Sequence, residues 1–120
     1  MSECVVVGIG ASSAATVLEC LELVGSLVRS SWTVSAVATI EAKRTLGGSV
    51  ADALGVRCSV FTADELASIV VPDPSSRVRA AVGVSSVAEA AAIRGSGGGP
   101  LVVGKTSRRG VTVAIACQAD

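Results

Sequence analysis

Residues 4–10, Cys-Val-Val-Val-Gly-Ile-Gly, form an apolar run with no polar residue to mark a wet face. A strand with one solvated face alternates, whereas a strand covered on both faces reads as a continuous apolar stretch. The run therefore predicts an interior strand between two layers of helix, which places the chain in the α/β class. The covering helices must sit close to it. The apolar residues are mostly Val, Ala, Leu and Ile, with one Trp (Trp32), one Phe (Phe61) and no Tyr. With 120 residues the chain is expected to be one domain, 1–120, burying roughly two thirds of its surface on folding.

The rest of the chain alternates. Ser12 or Ser13 can cap a helix over about 14–29, in which Val17, Leu18, Leu21, Val24 and Val28 recur at helical spacing. Val34 to Ile40 reads as a second strand. Gly47-Gly48-Ser49 breaks the chain, Ser49 can cap a short helix to Leu54, and Gly55 ends it. Arg57 to Phe61 is a third strand. Thr62 with Glu65 makes a capping box for a helix to about Val70. Pro72-Asp73-Pro74 is a turn, and Ser75 or Ser76 caps a helix to Ala81. Ser85-Ser86-Val87-Ala88-Glu89 repeats the cap-plus-Glu pattern and opens a helix to about Arg94, followed by a glycine-rich loop, 95–100. Leu101 to Val103 and Val111 to Cys117 are strands around a turn, 104–110, that carries Lys105, Arg108 and Arg109. The expected fold is a single three-layer α/β domain, with a mostly parallel sheet and a C-terminal hairpin. Right-handed crossovers gather the strand C-termini on one edge, where ligands bind in open α/β sheets.

Charge and residue types exclude several functions. Ten basic residues balance ten acidic ones, against broad nucleic-acid binding, and stacking aromatics for single strands are missing. No His is present, so a Ser–His or Cys–His dyad cannot form. Cys4, Cys20, Cys58 and Cys117 are widely spaced with no CxxC pair, and read as small buried hydrophobes of a reducing compartment. No metal and no cofactor is expected. Met1-Ser2-Glu3 has no basic leader region and no run of about 20 apolar residues exists, so the expected location is the cytoplasm.

Four places carry candidate chemistry. Gly8-x-Gly10-x-x-Ser13 lacks the third glycine of a dinucleotide fingerprint, and the acid near the second strand, Glu41, lies about 30 residues on rather than 20. It remains either a tight turn that binds nothing or an anion-binding turn, with the backbone N–H groups and the hydroxyls of Ser12 and Ser13 as donors. Ala38-Thr39-Ile40-Glu41-Ala42-Lys43 sets an acid and a cation directly after a buried strand. They are a solvated pair, or a general acid–base and an anion clamp. The 83–92 stretch is an Ala-rich packing helix, or a second helix N-terminus with Ser85 or Ser86 donating to a carboxylate. Lys105, Arg108 and Arg109 form a solvated turn or steer an acidic ligand.

In order, the blocks GIG, ATIEAK, FTADEL, PDPSSRV, AVGVSSVAEAAAI and LVVGKTSRRGVTVAIA, from about residue 5 to 117, resemble one family: CobE and the C-terminal domain of CbiG, of cobalamin biosynthesis. The resemblance implies an α/β domain. In CbiG it is part of a larger protein that hydrolyses the lactone of cobalt-precorrin-5A and releases acetaldehyde; CobE is the free-standing form, which this chain looks like. The implied ligand is a polycarboxylated corrin or precorrin intermediate, with other cobalamin-biosynthesis enzymes as further partners and a homo-oligomer left open. The family's motif positions fall on Gly8, Gly10, Thr39, Glu41, Lys43, Ser86, Glu89 and Lys105, with Lys43 and Lys105 as carboxylate partners. In a hydrolase reading, Glu41 or Glu89 activates water and Lys43 stabilises the oxyanion. Two departures stand out. The family's basic residues after the first GxG are replaced by Ala11-Ser12-Ser13-Ala14, and after Lys43 the next acid is Asp52. The first weakens a charged clamp in that loop and leaves backbone N–H groups and two hydroxyls; the second, if that carboxylate serves hydrolysis, favours a binder over an enzyme.

Overall fold

Both glycines of the opening run lie inside the first strand, β1 (Glu3–Ala11), and not in a turn after it. The computed structural model describes residues 3–12, 14–69 and 85–119. Ser13, the expected Pro72–Pro74 turn, the expected helix from Ser75 or Ser76 to Ala81, and the side chains of Ser85 and Ser86 lie outside the described residues.

β1 pairs in parallel with β2 (Trp32–Ile40), which pairs in parallel with β3 (Arg57–Phe61). β4 (Leu101–Arg108) and β5 (Val111–Cys117) form the expected hairpin, turning at Arg109 and Gly110, both at positive φ. β5 docks antiparallel on β1, giving the order β3-β2-β1-β5-β4. The sheet is thus mixed, and not mostly parallel as expected. Polarity decides which hairpin strand enters the sheet. Residues 111–116 are all buried, whereas β4, with Lys105, Ser107 and Arg108, has none buried and takes the edge. β4 also runs on through Gly104, where the sequence led us to expect a turn. It carries two register shifts: Val102 is extra between Leu101 and Val103, and Gly104 and Lys105 together face Ala114. Such bulges leave N–H groups turned out of the ladder.

Helices cover both faces. α1 (Val17–Leu27) and α2 (Arg44–Leu54) cover the face of Val5, Val7, Ile9, Val37, Val111, Val113 and Ile115. α3 (Ala63–Ala67) and α4 (Ser85–Gly95) cover the other, where Leu66, Ala90 and Ala91 meet Val6, Ala36 and Ala38, and where Ala88 and Ala92 meet Ala114 and Ala116. α1 is capped by Thr16, not by Ser12 or Ser13. The Thr16 hydroxyl accepts from the Glu19 N–H, and the Glu19 carboxylate accepts from the Thr16 N–H at 3.0 Å. The expected box of Thr62 and Glu65 is present, and Gly55 ends α2 at φ 72°. Gly47 and Gly48 do not break the chain, because α2 already starts at Arg44. Gly47 is where the helix comes close to β2: a Cβ there would lie 2.7 Å from Thr39 Cγ2. Of the cysteines only Cys20 is buried; Cys4 is exposed and the other two are half-buried, which corrects the expectation of four core thiols. Among the described residues no helix is long and apolar enough to cross a membrane.

Candidate functional site

The C-terminal ends of the parallel strands bring several of the expected residues to one edge. β1 ends at Ala11, and Ser12 follows it, exposed. Its N–H donates to Gly110 O at 2.8 Å, so the β1–α1 connection is tied to the hairpin turn. β2 ends beside it, since Ile9 pairs with Thr39. The chain then enters a 3-10 turn, Glu41–Lys43, that leads into α2. Glu41 is exposed and Lys43 half-buried. β4 runs parallel to β1, so Arg108 and Arg109 reach the same edge. On the α1 side of that edge Glu19, Glu22, Arg108 and Arg109 line a hollow of about 80 Å³. A roomier one, of about 430 Å³, lies at the opposite end of α4, by Ile93 and Gly97.

α4 runs against the direction of β1. Its last residue, Gly95, approaches Val6 and Ala38, while Ala88, in its first turn, covers Gly8. Its N-terminus, with Ser85 and Ser86, therefore faces the same edge, and the positive end of its dipole favours an anion there. Glu89 sits one turn in, 4% exposed, among alanines. Its Oε2 accepts the Lys105 N–H of the β4 bulge at 3.3 Å, and among the described residues its Oε1 has no hydrogen-bond partner. Glu89 of α4 and Lys105 of β4 are thus brought together, away from Glu41 and Lys43 at the end of β2. From β2 to β4 is three strand spacings, roughly 14 Å.

Two expected residues are committed to the fold. Gly8 is a contact point, since any Cβ would run into the Ala88 carbonyl oxygen and come within 2.9 Å of Ala92 Cβ. Thr39 is fully buried, and its hydroxyl donates to Ile9 O at 2.7 Å. Gly10 is a buried strand residue paired with Thr112.

That pairing leads to residues the motifs did not single out. Thr112 interrupts the Val111–Val113 alternation and points to the α4 face, 4% exposed. Its hydroxyl is 2.8 Å from that of Ser107 on β4. Glu89, Lys105, Ser107 and Thr112 make a polar strip along the β4–β5 hairpin. For Ser107 and Thr112 the one signal in the sequence is a lone threonine in an apolar strand. Among the described residues no three His, Cys, Asp or Glu side chains gather as metal ligands.

Comparison with known proteins agrees with this architecture. No match was found among curated proteins. CobE, a protein from the cobalamin biosynthetic pathway, superposes with a TM-score of 0.64 at 21% identity, over 99% of this chain and 93% of that one. The cobalamin biosynthesis protein chiG from Agrobacterium tumefaciens gives 0.68 at 26% identity, over 97% and 99%. A cobalamin biosynthesis protein G homolog from Sulfolobus solfataricus gives 0.72 at 18% identity; 98% of this chain is covered but only 38% of that longer one. The family model for the cobalamin synthesis G C-terminus matches residues 5–116, from β1 to β5. On that match the chain belongs to the cobalamin synthesis G C-terminus family, the CobE/CbiG type of cobalamin-biosynthesis protein.

Proposed function

We propose that the chain binds a polycarboxylated corrin or precorrin intermediate at the strand-end edge described above, acting as a carrier rather than as a free-standing catalyst. The family match over residues 5–116 carries this reading. The edge supports it chemically. Lys43, Arg108, Arg109 and the N-terminus of α4 supply positive charge from three sides, and Lys105 lies on the adjoining strip. A macrocycle fringed with carboxylates needs several separated cations, and a spread arrangement of this kind supplies them.

Lys43→Ala should weaken binding of cobalt-precorrin-5A by about tenfold, the loss of one charge-assisted hydrogen bond. A titration followed by pigment absorbance measures it; unchanged affinity removes Lys43 from the site. A second reading, lactone hydrolysis, is favoured by Glu41 and Lys43 sharing one 3-10 turn at the end of β2. Glu41 would activate water and Lys43 stabilise the oxyanion. The fold covers 38% of the Sulfolobus protein, and in this reading it would act alone or with partner domains. Mass spectrometry of the co-eluting pigment separates the two. Unchanged mass means a carrier, and loss of the two-carbon fragment as acetaldehyde means a hydrolase.

A further inference from the structure

Glu89 is the least expected group in its surroundings. Its neighbours Val87, Ala88, Ala90, Ala91 and Ala92 are apolar, the residue is 4% exposed, and among the described residues only one of its two carboxylate oxygens finds a hydrogen-bond partner. That bond holds the Lys105 N–H of the β4 bulge. Holding a bulge needs one neutral acceptor, which a glutamine would provide. A carboxylate buried with one oxygen lacking a donor is a standing destabilisation, and a donor from outside the chain would remove it.

We propose that Glu89 Oε1 is the ligand-side acceptor of the site, taking an O–H or N–H donor of the bound molecule. The site then selects on a donor as well as on carboxylates. The inference rests on the binding reading above and deepens it. Gly104, which is exposed, lays no side chain beside the bonded oxygen of the carboxylate, so the nearest surface to Glu89 is the Gly104 backbone. Among the described residues, a Cβ at Gly104 would meet only Glu89 Oε2, at 3.7 Å. The hydroxyl pair of Ser107 and Thr112 continues the polar strip from Glu89 toward the strand-end edge. Charge then orients the ligand. Its carboxylates are repelled by Glu89 and attracted by Lys43, Arg108 and Arg109, so the donor-bearing part of its rim turns to α4.

The test uses cobalt-precorrin-5A as the probe, with the wild-type chain, Glu89→Gln and Lys43→Ala. Glu89→Gln keeps an acceptor for the Lys105 N–H but replaces the other oxygen with a donor. It should melt at or above the wild-type temperature and lose at least tenfold in pigment affinity. The wild-type carboxyl resonance of Glu89, followed by carbon NMR in a glutamate-labelled sample, should move when pigment is added. That readout does not depend on how the variant folds. If Glu89→Gln binds as the wild type does while Lys43→Ala is weakened, or if the Glu89 resonance stays in place while pigment binds, this inference is overturned and the binding reading stands. If the wild type binds no pigment, both fall.

Discussion

A methyl group added at Gly8 would collide with the carbonyl oxygen of Ala88 and come within 2.9 Å of Ala92 Cβ. Neither atom can yield, because both belong to a helix already seated on Val6, Ala38 and Ala114. Gly8→Ala should therefore cost about 1–3 kcal/mol, read as a lower urea midpoint at an unchanged slope. The glycine itself was plain in the sequence, and its purpose was not. A GxG after an apolar run has two physical uses, approach of a phosphate or approach of a helix, and the spacing alone does not separate them. The complementary half was 80 and 84 residues away, in the alanines at 88 and 92. Thr39 is a similar case. Its place in a block beside Glu41 and Lys43 was legible, but the direction of its hydroxyl, inward to Ile9 O, depends on which strand lies next to β2.

Caps were easier to read than breaks. Thr62 and Glu65 formed the box their spacing announced, while the equally good pair Thr16 and Glu19 was overshadowed by two serines just upstream. Gly47-Gly48 marked a break by propensity, yet both lie within α2. Tertiary contact outweighed propensity here, and the two neighbours should answer oppositely to the same change. Gly48 has open space where a Cβ would go, so Gly48→Ala should stabilise by about 1 kcal/mol through helix propensity. At Gly47 a Cβ would lie 2.7 Å from Thr39 Cγ2 and 3.3 Å from Cys58 Sγ. The Thr39 methyl cannot swing away without breaking the bond to Ile9, so Gly47→Ala should destabilise by about 1–2 kcal/mol net. Paired thermal melts check both; a shift of the same sign in the two variants would contradict this account of α2.

At the scale of the whole molecule, the layers were legible and the strand order was not. Continuous apolar runs announced interior strands, but two such runs, in β1 and β5, do not say whether they lie parallel or antiparallel. The answer came from β4, whose charges keep it at the edge and so bring β5 inward. The core between α1 and the sheet offers its own probe. Burial, and then the Glu19 carboxylate, push the Cys20 thiol from its ordinary 9.0 up to about 11. The folded state thus holds a proton that the unfolded state releases, so the Cys20 contribution to stability should be level below 9 and fall as the pH rises from 9 toward 11. Urea melts across that interval measure the slope, and Cys20→Ala should flatten it. The sheet order has one more consequence, for the sequence of events in synthesis. β5 is made after the four other strands of its sheet and sits between β1 and β4, with Val5 opposite Cys117. Until residue 117 has emerged, β1 lacks a neighbour on one side and its apolar face there stays uncovered. The pairing of β1 with β5 cannot form progressively from β1 onward. It closes late and all at once, with the loop-closure delay that long-range pairing imposes.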